Sequence, residues 1–413
     1  MDDLRRQDRR YELDFLQSVS AEYGSDFYLL NRVRLETNFK AFKHAFERYV
    51  PKTRPAYSVK TNYLPSILRE ADRLGWYNEV VSGFEYDLVH SLGIDGARII
   101  FNGPIKMDHE ITKAIELGSL INVDSVSELE RIATLSSSDR PARIALRCNL
   151  ELETPTRFGI PINDPSFAQS IALCRRNDTV LLEGLHCHYC HPCKAPAAYL
   201  QQAEVLLSVI REHGLAAELK HINMGGGFFS RMPEQMAAQF GGSLPSVEDY
   251  AAAICAPLAQ FLNDADIELI LEPGLVVVAD AMDFVTTVYD LKPVQGGQSE
   301  LIVSGGVYNV KPGKSRLDMP FYVVGHSQTA PHVEARISGF TCMEDDVLHS
   351  QVALTVSVGD YLVFQNCGAY TNVLKPPFIR LAPPVLEVDA DGIAKLILRE
   401  ETLSDIAGRF VTS

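Results

Sequence analysis

Short apolar runs rich in β-branched residues recur along the chain up to about residue 280, and amphipathic stretches lie between them. Eight such runs are present: "PAYSVK" 55–60, "YNEVVS" 77–82, "ARIIFN" 97–102, "SLINVD" 119–124, "ARIALRC" 142–148, "LLEGLHCH" 181–188, "LKHINM" 219–224 and "IELILE" 267–272. The last residues of the first five lie 20 to 24 positions apart, which is the length of one strand–helix unit. Eight such units predict a parallel sheet that is covered by helices and closed into a (β/α)₈ barrel.

The pattern changes after the barrel segment, where β-like runs are separated by turn residues and little helix is indicated. These runs are "MDFVTTVYDLK", "SELIVSGGVYNV", "FYVVGHS", "VEARISGFT", "YLVFQNCG" and "VLEVDADGIAKLILR". They predict a second, all-β domain over residues 281–413. The strand-like "SDFYLLN", 25–31, is expected to join that sheet, so we predict an N-terminal segment over 1–31 and the barrel over 32–280.

Composition narrows the class of protein. The 413 residues are 46% apolar, and no run approaches the roughly 20 residues of a membrane helix. The charged start "MDDLRRQDRR" is not followed by an apolar segment, so no signal peptide is predicted. A net charge of −15 argues against a nucleic-acid partner, and eight cysteines without an export signal favour free thiols. We expect a cytoplasmic enzyme or binding protein without a membrane partner.

Polar residues stand at or just after the ends of all eight predicted strands. They are Lys60, Ser82, Asn102, Asp124, Asn149, His188, Gly225–Gly227 and Glu272. In a barrel these ends converge on one face, where active sites lie. The alternative is that polar residues simply mark where strands stop.

Three of these strand ends together suggest a cofactor. A lysine that points into a largely apolar barrel loses hydration, which lowers its pKa and makes the amine nucleophilic; the alternative for Lys60 is an exposed strand-end lysine. Gly225, Gly226 and Gly227 follow the seventh strand, the usual phosphate position of this fold. Glu272 is a predicted buried carboxylate that needs a partner such as a protonated ring nitrogen. Lysine, glycine loop and carboxylate together predict a pyridoxal phosphate pocket.

The stretch "GLHCHYCHPC", 184–193, suggests a zinc site when taken alone, because it contains H-x-H and C-x-x-C spacings. By strand alternation His186 and His188 share one face. No second histidine pair stands at another strand end to complete a metal site. We therefore predict no metal, and Cys190, His191 and Cys193 have no assigned metal role.

Motifs in the same order resemble the barrel-type (fold type III) pyridoxal phosphate decarboxylases, which include diaminopimelate and ornithine decarboxylases. The matching motifs are "YSVKTN", "VVSGFEYD", "RIIFNGPIK", "TRFGI", "GLHCH", "NMGGGF", "LEPG", "GFTCMEDDVL" and "NCGAY". The resemblance covers nearly the whole chain. It implies a (β/α)₈ TIM barrel with a second β domain, as in alanine racemase and ornithine decarboxylase, and pyridoxal 5'-phosphate as the cofactor.

The resemblance also implies roles for individual residues. Lys60 would form the Schiff base, Glu272 would pair with the pyridinium nitrogen, and His188 would stack on the ring. Cys342, from the partner subunit of a homodimer with shared active sites, would protonate the substrate's Cα. The remaining residues implied in cofactor binding are Glu79, Arg147, Gly225, Gly226, Gly227, Gly274 and Tyr370. His191, where the family has a different residue, is this chain's own candidate for a phosphate contact.

The chain departs from the family pattern in four places. Cys190-His191 replaces a Gly-Ser pair whose serine binds phosphate, and Leu275 replaces an arginine that contacts phosphate. Met343 replaces the acidic residue that pairs with a substrate's distal ammonium, and Met319 stands where an arginine usually contacts a substrate carboxylate. The cofactor chemistry is expected to be intact, whereas the recognition of the substrate's far end has changed.

The substrate prediction rests on those departures. "NVKPGKSR", 309–316, places Lys311, Lys314 and Arg316 close together in an acidic chain, either as a solvated loop or as a site for an anionic tail. Tyr322 is a further substrate-binding candidate, and so is Glu344, because a one-residue shift of its loop would restore an acid at the position of Met343. We predict an α-decarboxylase acting on a citryl-type conjugate of an amino acid, as in siderophore biosynthesis. The alternatives are a diaminopimelate or ornithine/lysine decarboxylase, a racemase, and a cofactor-binding protein without turnover.

Overall fold

A computed structural model describes residues 11–189, 194–241, 243–294, 299–313, 316–325 and 329–411. The described residues form two compact units. One comprises Phe39–Phe229 and Pro245–Val276, and the other contains the rest. Within the described ranges, no helix is long and apolar enough to cross a membrane.

The described chain begins with helix α1 (Leu13–Tyr23), strand β1 (Phe27–Asn31) and helix α2 (Arg32–Glu47). Eight parallel strands of the first unit then close into a barrel in chain order, because Leu120–Val123 pairs with Ala142–Asn149 on one side and Glu268–Leu271 pairs with Thr53–Ser58 on the other. A short strand, Ile160–Pro161, extends the sheet beside Ala142–Asn149. The bounds are β2 (Thr53–Ser58), β3 (Tyr77–Val80), β4 (Ile99–Phe101), β5 (Leu120–Val123), β6 (Ala142–Asn149), β7 (Ile160–Pro161), β8 (Val180–His186), β9 (His221–Asn223) and β10 (Glu268–Leu271). The predicted (β/α)₈ fold is confirmed, with every predicted strand in its place.

Helices connect the strands, and several begin at polar residues that cap them. The Ser82 and Ser125 side chains accept hydrogen bonds from the amides of Glu85 and Glu128, which satisfies free N–H groups of the first helical turn. The helices are α3 (Pro65–Arg73), α4 (Gly83–Ser91), α5 (Asp108–Glu116), α6 (Val126–Leu135), α7 (Pro165–Arg176), α8 (Pro196–Glu212), α9 (Glu234–Ala237), α10 (Val247–Asp264) and α11 (Leu275–Val278). Apart from α9, which buries none of its residues, these helices bury apolar side chains, which holds the strand ends at fixed positions.

The second unit contains a nine-stranded sheet in which β1 pairs antiparallel with Met282–Pro293 and parallel with Val385–Val388. Two local predictions differ from the structure. Only the first part of "SELIVSGGVYNV" is a strand, because Val307–Val310 forms a helical turn, and the strand Val347–Thr355 was not predicted. The remaining elements are β11 (Met282–Pro293), β12 (Ser299–Val303), α12 (Val307–Val310), β13 (Phe321–Val324), β14 (His332–Ser338), β15 (Val347–Thr355), β16 (Tyr361–Phe364), β17 (Val385–Val388), β18 (Ala394–Leu398) and α13 (Leu403–Ala407).

Candidate active site

Lys60 lies in a single 3₁₀ turn, Val59–Thr61, two residues beyond the end of β2. Its Nζ is 2.7 Å from Oε2 and 3.0 Å from Oε1 of Glu79, which lies in the neighbouring strand β3. The Lys60 side chain is 36% exposed, whereas Glu79 is almost fully buried. The environment of the amine is therefore polar and ion-paired, not apolar as the sequence suggested. Gly274 allows the turn to pack closely, since a Cβ there would lie 2.1 Å from Thr61 Oγ1.

Glu272 follows β10 directly and is only 4% exposed. Its Oε1 accepts hydrogen bonds from the side-chain amides of Asn223 at 2.7 Å and Asn102 at 2.8 Å, and Asn122 lies at 3.4 Å. The Asn102 amide also donates to Glu79 Oε1 at 2.9 Å. The Asn102 side chain thus connects Glu79, the partner of Lys60, with Glu272 at the end of β10.

The second oxygen of Glu272 is much less satisfied. Oε2 lies 3.4 Å from His186 Nε2 and 4.0 Å from His188 Nδ1, and neither contact is a good hydrogen bond. Burial acts to raise the pKa of Glu272, but His186, His188 and Lys60 more than offset it and keep this pKa below its usual value. An ionised carboxylate with an available acceptor oxygen suits a protonated ring nitrogen.

The His188 ring is fixed by the glycine loop. Its Nδ1 accepts a hydrogen bond from the Gly226 amide at 3.0 Å, so the proton of the neutral ring is on Nε2. Burial, together with Lys60 and Arg147, lowers the pKa of His188 to about 3, and Glu272 offsets this only in part. His188 is therefore neutral at physiological pH.

The glycine loop has fewer available amides than its sequence suggests. The Gly225 amide donates to Asn223 Oδ1 at 2.9 Å, and the Gly226 amide donates to His188. Gly226 is needed for close packing, since a Cβ there would lie 2.2 Å from the Glu272 carbonyl oxygen. Among the described residues, the Gly227 amide has no such partner. The phosphate contact of the loop stays a prediction, and the Gly227 amide is the one available for it.

These strand ends surround a cavity of about 430 Å³ within the barrel unit. Arg147 lines it and donates to Asp124 Oδ1 at 2.8 Å. The Arg147 and Arg157 guanidinium groups lie 4.6 and 4.4 Å from the centre of the Phe158 ring. The residues that the sequence predicted and that line this cavity are Lys60, Glu79, Arg147, His188 and Glu272.

The described residues that were predicted for the substrate site, together with Cys342 and Tyr370, lie in the second unit. Cys342 and Glu344 are exposed on the loop between β14 and β15, and Tyr370 is 37% exposed with a left-handed φ of 57°. The Tyr322 hydroxyl accepts a hydrogen bond from the Tyr11 amide at 3.2 Å, and the Lys311 ammonium donates to the Leu317 carbonyl at 2.7 Å. Tyr322 and Lys311 are thus engaged within the unit, and a substrate role for each stays a prediction. Arg316 is exposed.

Four residues of the sequence-based hypotheses lie outside the described residues: Cys190, His191, Cys193 and Lys314. The proposed phosphate contact of His191 stays a prediction. The two histidines before that segment, His186 and His188, both approach Glu272.

The asparagines that bind the carboxylates were not predicted from the sequence, and neither was Arg157. Asn102 was noted only as a strand end, and Asn122 and Asn223 were not singled out. A usable signal existed, because a buried carboxylate requires donors and these three residues lie at the ends of β4, β5 and β9. Arg157 lies in the "TRFGI" motif, but nothing in the motif indicates a cavity wall.

Comparison with known proteins agrees with this geometry. Residues 32–279 match the family "Pyridoxal-dependent decarboxylase, pyridoxal binding domain". The chain is 26% identical to diaminopimelate decarboxylase of Haemophilus influenzae, over 95% of this chain and 94% of that protein. It is 24% identical to diaminopimelate decarboxylase of Methanocaldococcus jannaschii, over 99% and 96%.

Solved structures share the fold. Diaminopimelate decarboxylase of M. jannaschii in complex with L-lysine superimposes with a TM-score of 0.85, at 23% identity, over 96% of this chain and 94% of that one. Lysine/ornithine decarboxylase of Vibrio vulnificus in complex with cadaverine gives a TM-score of 0.74, at 20% identity, over 91% and 98%. With the family match over more than half of its length, the chain belongs to the pyridoxal-dependent decarboxylases, a family of carboxy-lyases whose cofactor is pyridoxal 5'-phosphate.

Proposed function

We propose that this chain removes the α-carboxylate of an amino acid as carbon dioxide, with diaminopimelate as the first substrate to test. Its curated relatives at 24–26% identity are diaminopimelate decarboxylases, which favours this substrate over the citryl conjugate suggested by the sequence. One observation supports decarboxylation above all. A single cavity is lined by Lys60, which is paired with Glu79, and by Glu272, which has an available acceptor oxygen.

The side chains fit pyridoxal phosphate. Lys60 would bind its aldehyde group, Glu272 Oε2 would accept a hydrogen bond from its ring nitrogen, and the flat His188 ring would pack beside it. Bound pyridoxal phosphate supplies an electron sink for the pair that remains when carbon dioxide leaves. Glu79, 2.7 Å from Lys60 Nζ, can accept a proton from the ammonium and so release a nucleophilic amine.

The reaction also requires a proton at Cα after the carboxylate has left. We propose the Cys342 thiol of a second copy of the chain as that donor. Its loop is fixed by the buried Asp346 carboxylate, which accepts hydrogen bonds from the amides of Thr341 at 2.8 Å and Val307 at 2.6 Å. Cys342 itself is exposed, as a donor to a second copy has to be. Cys342→Ala should lower the rate of product formation in the homodimer.

A citryl-type conjugate remains a second candidate, and the observation that favours it is Met343. Its sulfur lies 3.8 Å from the Tyr308 hydroxyl and offers no charge to a distal ammonium. Glu344, the next residue, is exposed and is the nearest acidic alternative. If a free diamino acid is the substrate, Glu344→Gln should raise its KM.

The decisive experiment measures carbon dioxide release by the cofactor-loaded protein from diaminopimelate, lysine, ornithine and a citryl–diamino acid conjugate. We expect release from diaminopimelate above all. Release only from the conjugate would favour the second candidate. Loss of optical activity without carbon dioxide would indicate a racemase, and no change in any amino acid would indicate a binding protein.

A further inference from the structure

The charges on the cavity wall divide into those that have protein partners and one that does not. Lys60 is paired with Glu79 at 2.7 Å, and Arg147 is paired with Asp124 at 2.8 Å. Arg157 also lines the cavity, but its guanidinium has no ion pair or hydrogen bond within the part of the chain that the structure describes. A guanidinium has five donors in a planar fork that matches a carboxylate.

The segment that carries Arg157 is anchored at several points. The Asn149 side chain donates to the Thr156 carbonyl at 3.1 Å, and the Thr154 amide donates to the Tyr189 hydroxyl at 2.9 Å. The Arg157 guanidinium also packs 4.4 Å from the centre of the Phe158 ring. The two hydrogen bonds fix the backbone of this segment, and the ring contact orients the exposed guanidinium, so less entropy is lost when it binds an anion.

The cavity wall lacks an acid that could bind a distal ammonium. Among the described lining residues, the acids are Glu79 and Glu272. Glu79 already accepts hydrogen bonds from Lys60, Ser58 and Asn102. Glu272 is buried and bound by asparagines, and its available oxygen suits the cofactor. The barrel side of the cavity is thus complementary to an anion on the substrate.

We propose that Arg157 determines specificity by binding a second carboxylate of the substrate, remote from the one that is lost. This inference rests on the proposed function and deepens it. Diaminopimelate and a citryl conjugate both carry such a group, whereas lysine and ornithine do not. The site for an anionic tail predicted from Lys311, Lys314 and Arg316 stays a separate prediction.

The first experiment does not depend on turnover. Calorimetry on the cofactor-loaded protein compares heptanedioate with heptanoate, which have equal carbon count and differ by one carboxylate. The wild type should bind heptanedioate about 10-fold or more tightly, Arg157→Gln should lose that preference, and Arg157→Lys should keep part of it. Arg69→Gln, which removes an exposed guanidinium from α3, should behave as wild type.

The proposal is overturned if the wild type binds heptanedioate no better than heptanoate, or if Arg157→Gln keeps the preference. It is also overturned if Arg157→Gln weakens binding of pyridoxal phosphate and leaves the dicarboxylate preference unchanged, because Arg157 would then bind the cofactor. Equal thermal midpoints of wild type and Arg157→Gln exclude misfolding as the cause.

A second experiment uses turnover. With a substrate that has two carboxylates, Arg157→Gln should raise KM by about 10- to 100-fold and leave kcat within a few-fold. An unchanged KM contradicts the proposal. Failure of every amino acid to release carbon dioxide, with the calorimetric preference intact, would reject the proposed decarboxylation and leave the carboxylate site standing.

Discussion

Two lysine–glutamate pairs of the barrel have nearly equal distances and opposite exposure. Lys60 Nζ lies 2.7 Å from Glu79, and Lys106 Nζ lies 2.9 Å from Glu128. The Lys60 side chain is 36% exposed and lines the cavity, whereas the Lys106 side chain is completely buried. The distance between the charges therefore does not distinguish the amine proposed to bind the cofactor from an amine that is buried in the fold.

The other partners of each amine make the distinction. Lys106 also donates to the carbonyl oxygens of Gly103 at 2.8 Å and Asn122 at 2.9 Å, and Glu128 accepts from the Asp124 amide at 2.7 Å. Burial lowers the pKa of Lys106, and Glu128 opposes that shift. This pair joins the segments that follow β4 and β5, and so fixes the strand ends that carry Asn102 and Asp124.

Of the variants at these two lysine–glutamate pairs, Lys60→Ala should have the largest effect on activity. Carbon dioxide release should fall by about 10³-fold or more, because the amine that binds the cofactor is gone. The cofactor-loaded wild type should absorb visible light, and the variant should lose that band. The free energy of unfolding should fall by only about 1–2 kcal/mol, since Ser58 and Asn102 still donate to Glu79. Lys113→Ala, at an exposed ion pair, is the control. An active Lys60→Ala variant would reject the assigned role.

Lys106→Met should have the opposite profile. It leaves Glu128 buried without its cation, which should lower the free energy of unfolding by about 3–5 kcal/mol. The double variant Lys106→Met with Glu128→Gln should recover most of this loss, because glutamine is neutral and can still accept from the Asp124 amide. Denaturant unfolding monitored by circular dichroism measures both. A single variant as stable as wild type would mean that the buried pair contributes nothing.

The two pairs also show what a sequence can establish. The barrel is predictable because each strand–helix unit repeats the same hydrophobic pattern, and Lys60 is identifiable because strand ends converge on one face. Lys106 is not identifiable in this way, since lysine is rarely buried and its partner lies 22 positions away. The asparagine partners of Glu272 come from three separate strands, so only the closed barrel brings them together.

The second unit was less predictable for a related reason. Its strands lack a regular repeat, and the run Val347–Thr355 has no consistent alternation of apolar and polar residues. Its burial pattern is irregular because register shifts interrupt its pairing with β14. Whether Lys311 or Tyr322 is available to a ligand depends on partners elsewhere in the unit, Leu317 and Tyr11, which the local sequence does not indicate.

Glu85 is a buried carboxylate of the barrel that is bound by a backbone amide and not by a lysine. It is 7% exposed and accepts a hydrogen bond from the Val81 amide at 2.8 Å. Burial raises the pKa of Glu85 to about 7, which the Val81 bond offsets only in part. In the unfolded chain the pKa of Glu85 is near 4.5. The higher pKa in the folded protein therefore stabilises the folded state below pH 4.5, and this contribution is lost as the pH rises through 7.

Glu85→Gln cannot titrate and should therefore gain stability relative to wild type as pH rises from 5 to 8. The expected gain is about 1–2 kcal/mol in the free energy of unfolding, measured by denaturant titration at both pH values. The exposed Glu130→Gln should show no such trend. A difference between Glu85→Gln and wild type that is constant with pH would show that this carboxyl does not titrate in the range.

The smallest effect is expected for Lys311, whose amine resembles that of Lys106 more than that of Lys60. It is half-buried, burial lowers its pKa, and its ammonium donates to the Leu317 carbonyl at 2.7 Å. Lys311→Ala should change KM by about threefold or less, which corresponds to under about 0.7 kcal/mol. It should lower the free energy of unfolding by about 1 kcal/mol through the lost hydrogen bond. Lys395→Ala, which removes an exposed lysine of the same unit, is the control. A tenfold rise in KM for Lys311→Ala with an anionic substrate would support the anion site predicted from the sequence. Lys311 and Arg157 would then both bind carboxylates of the substrate.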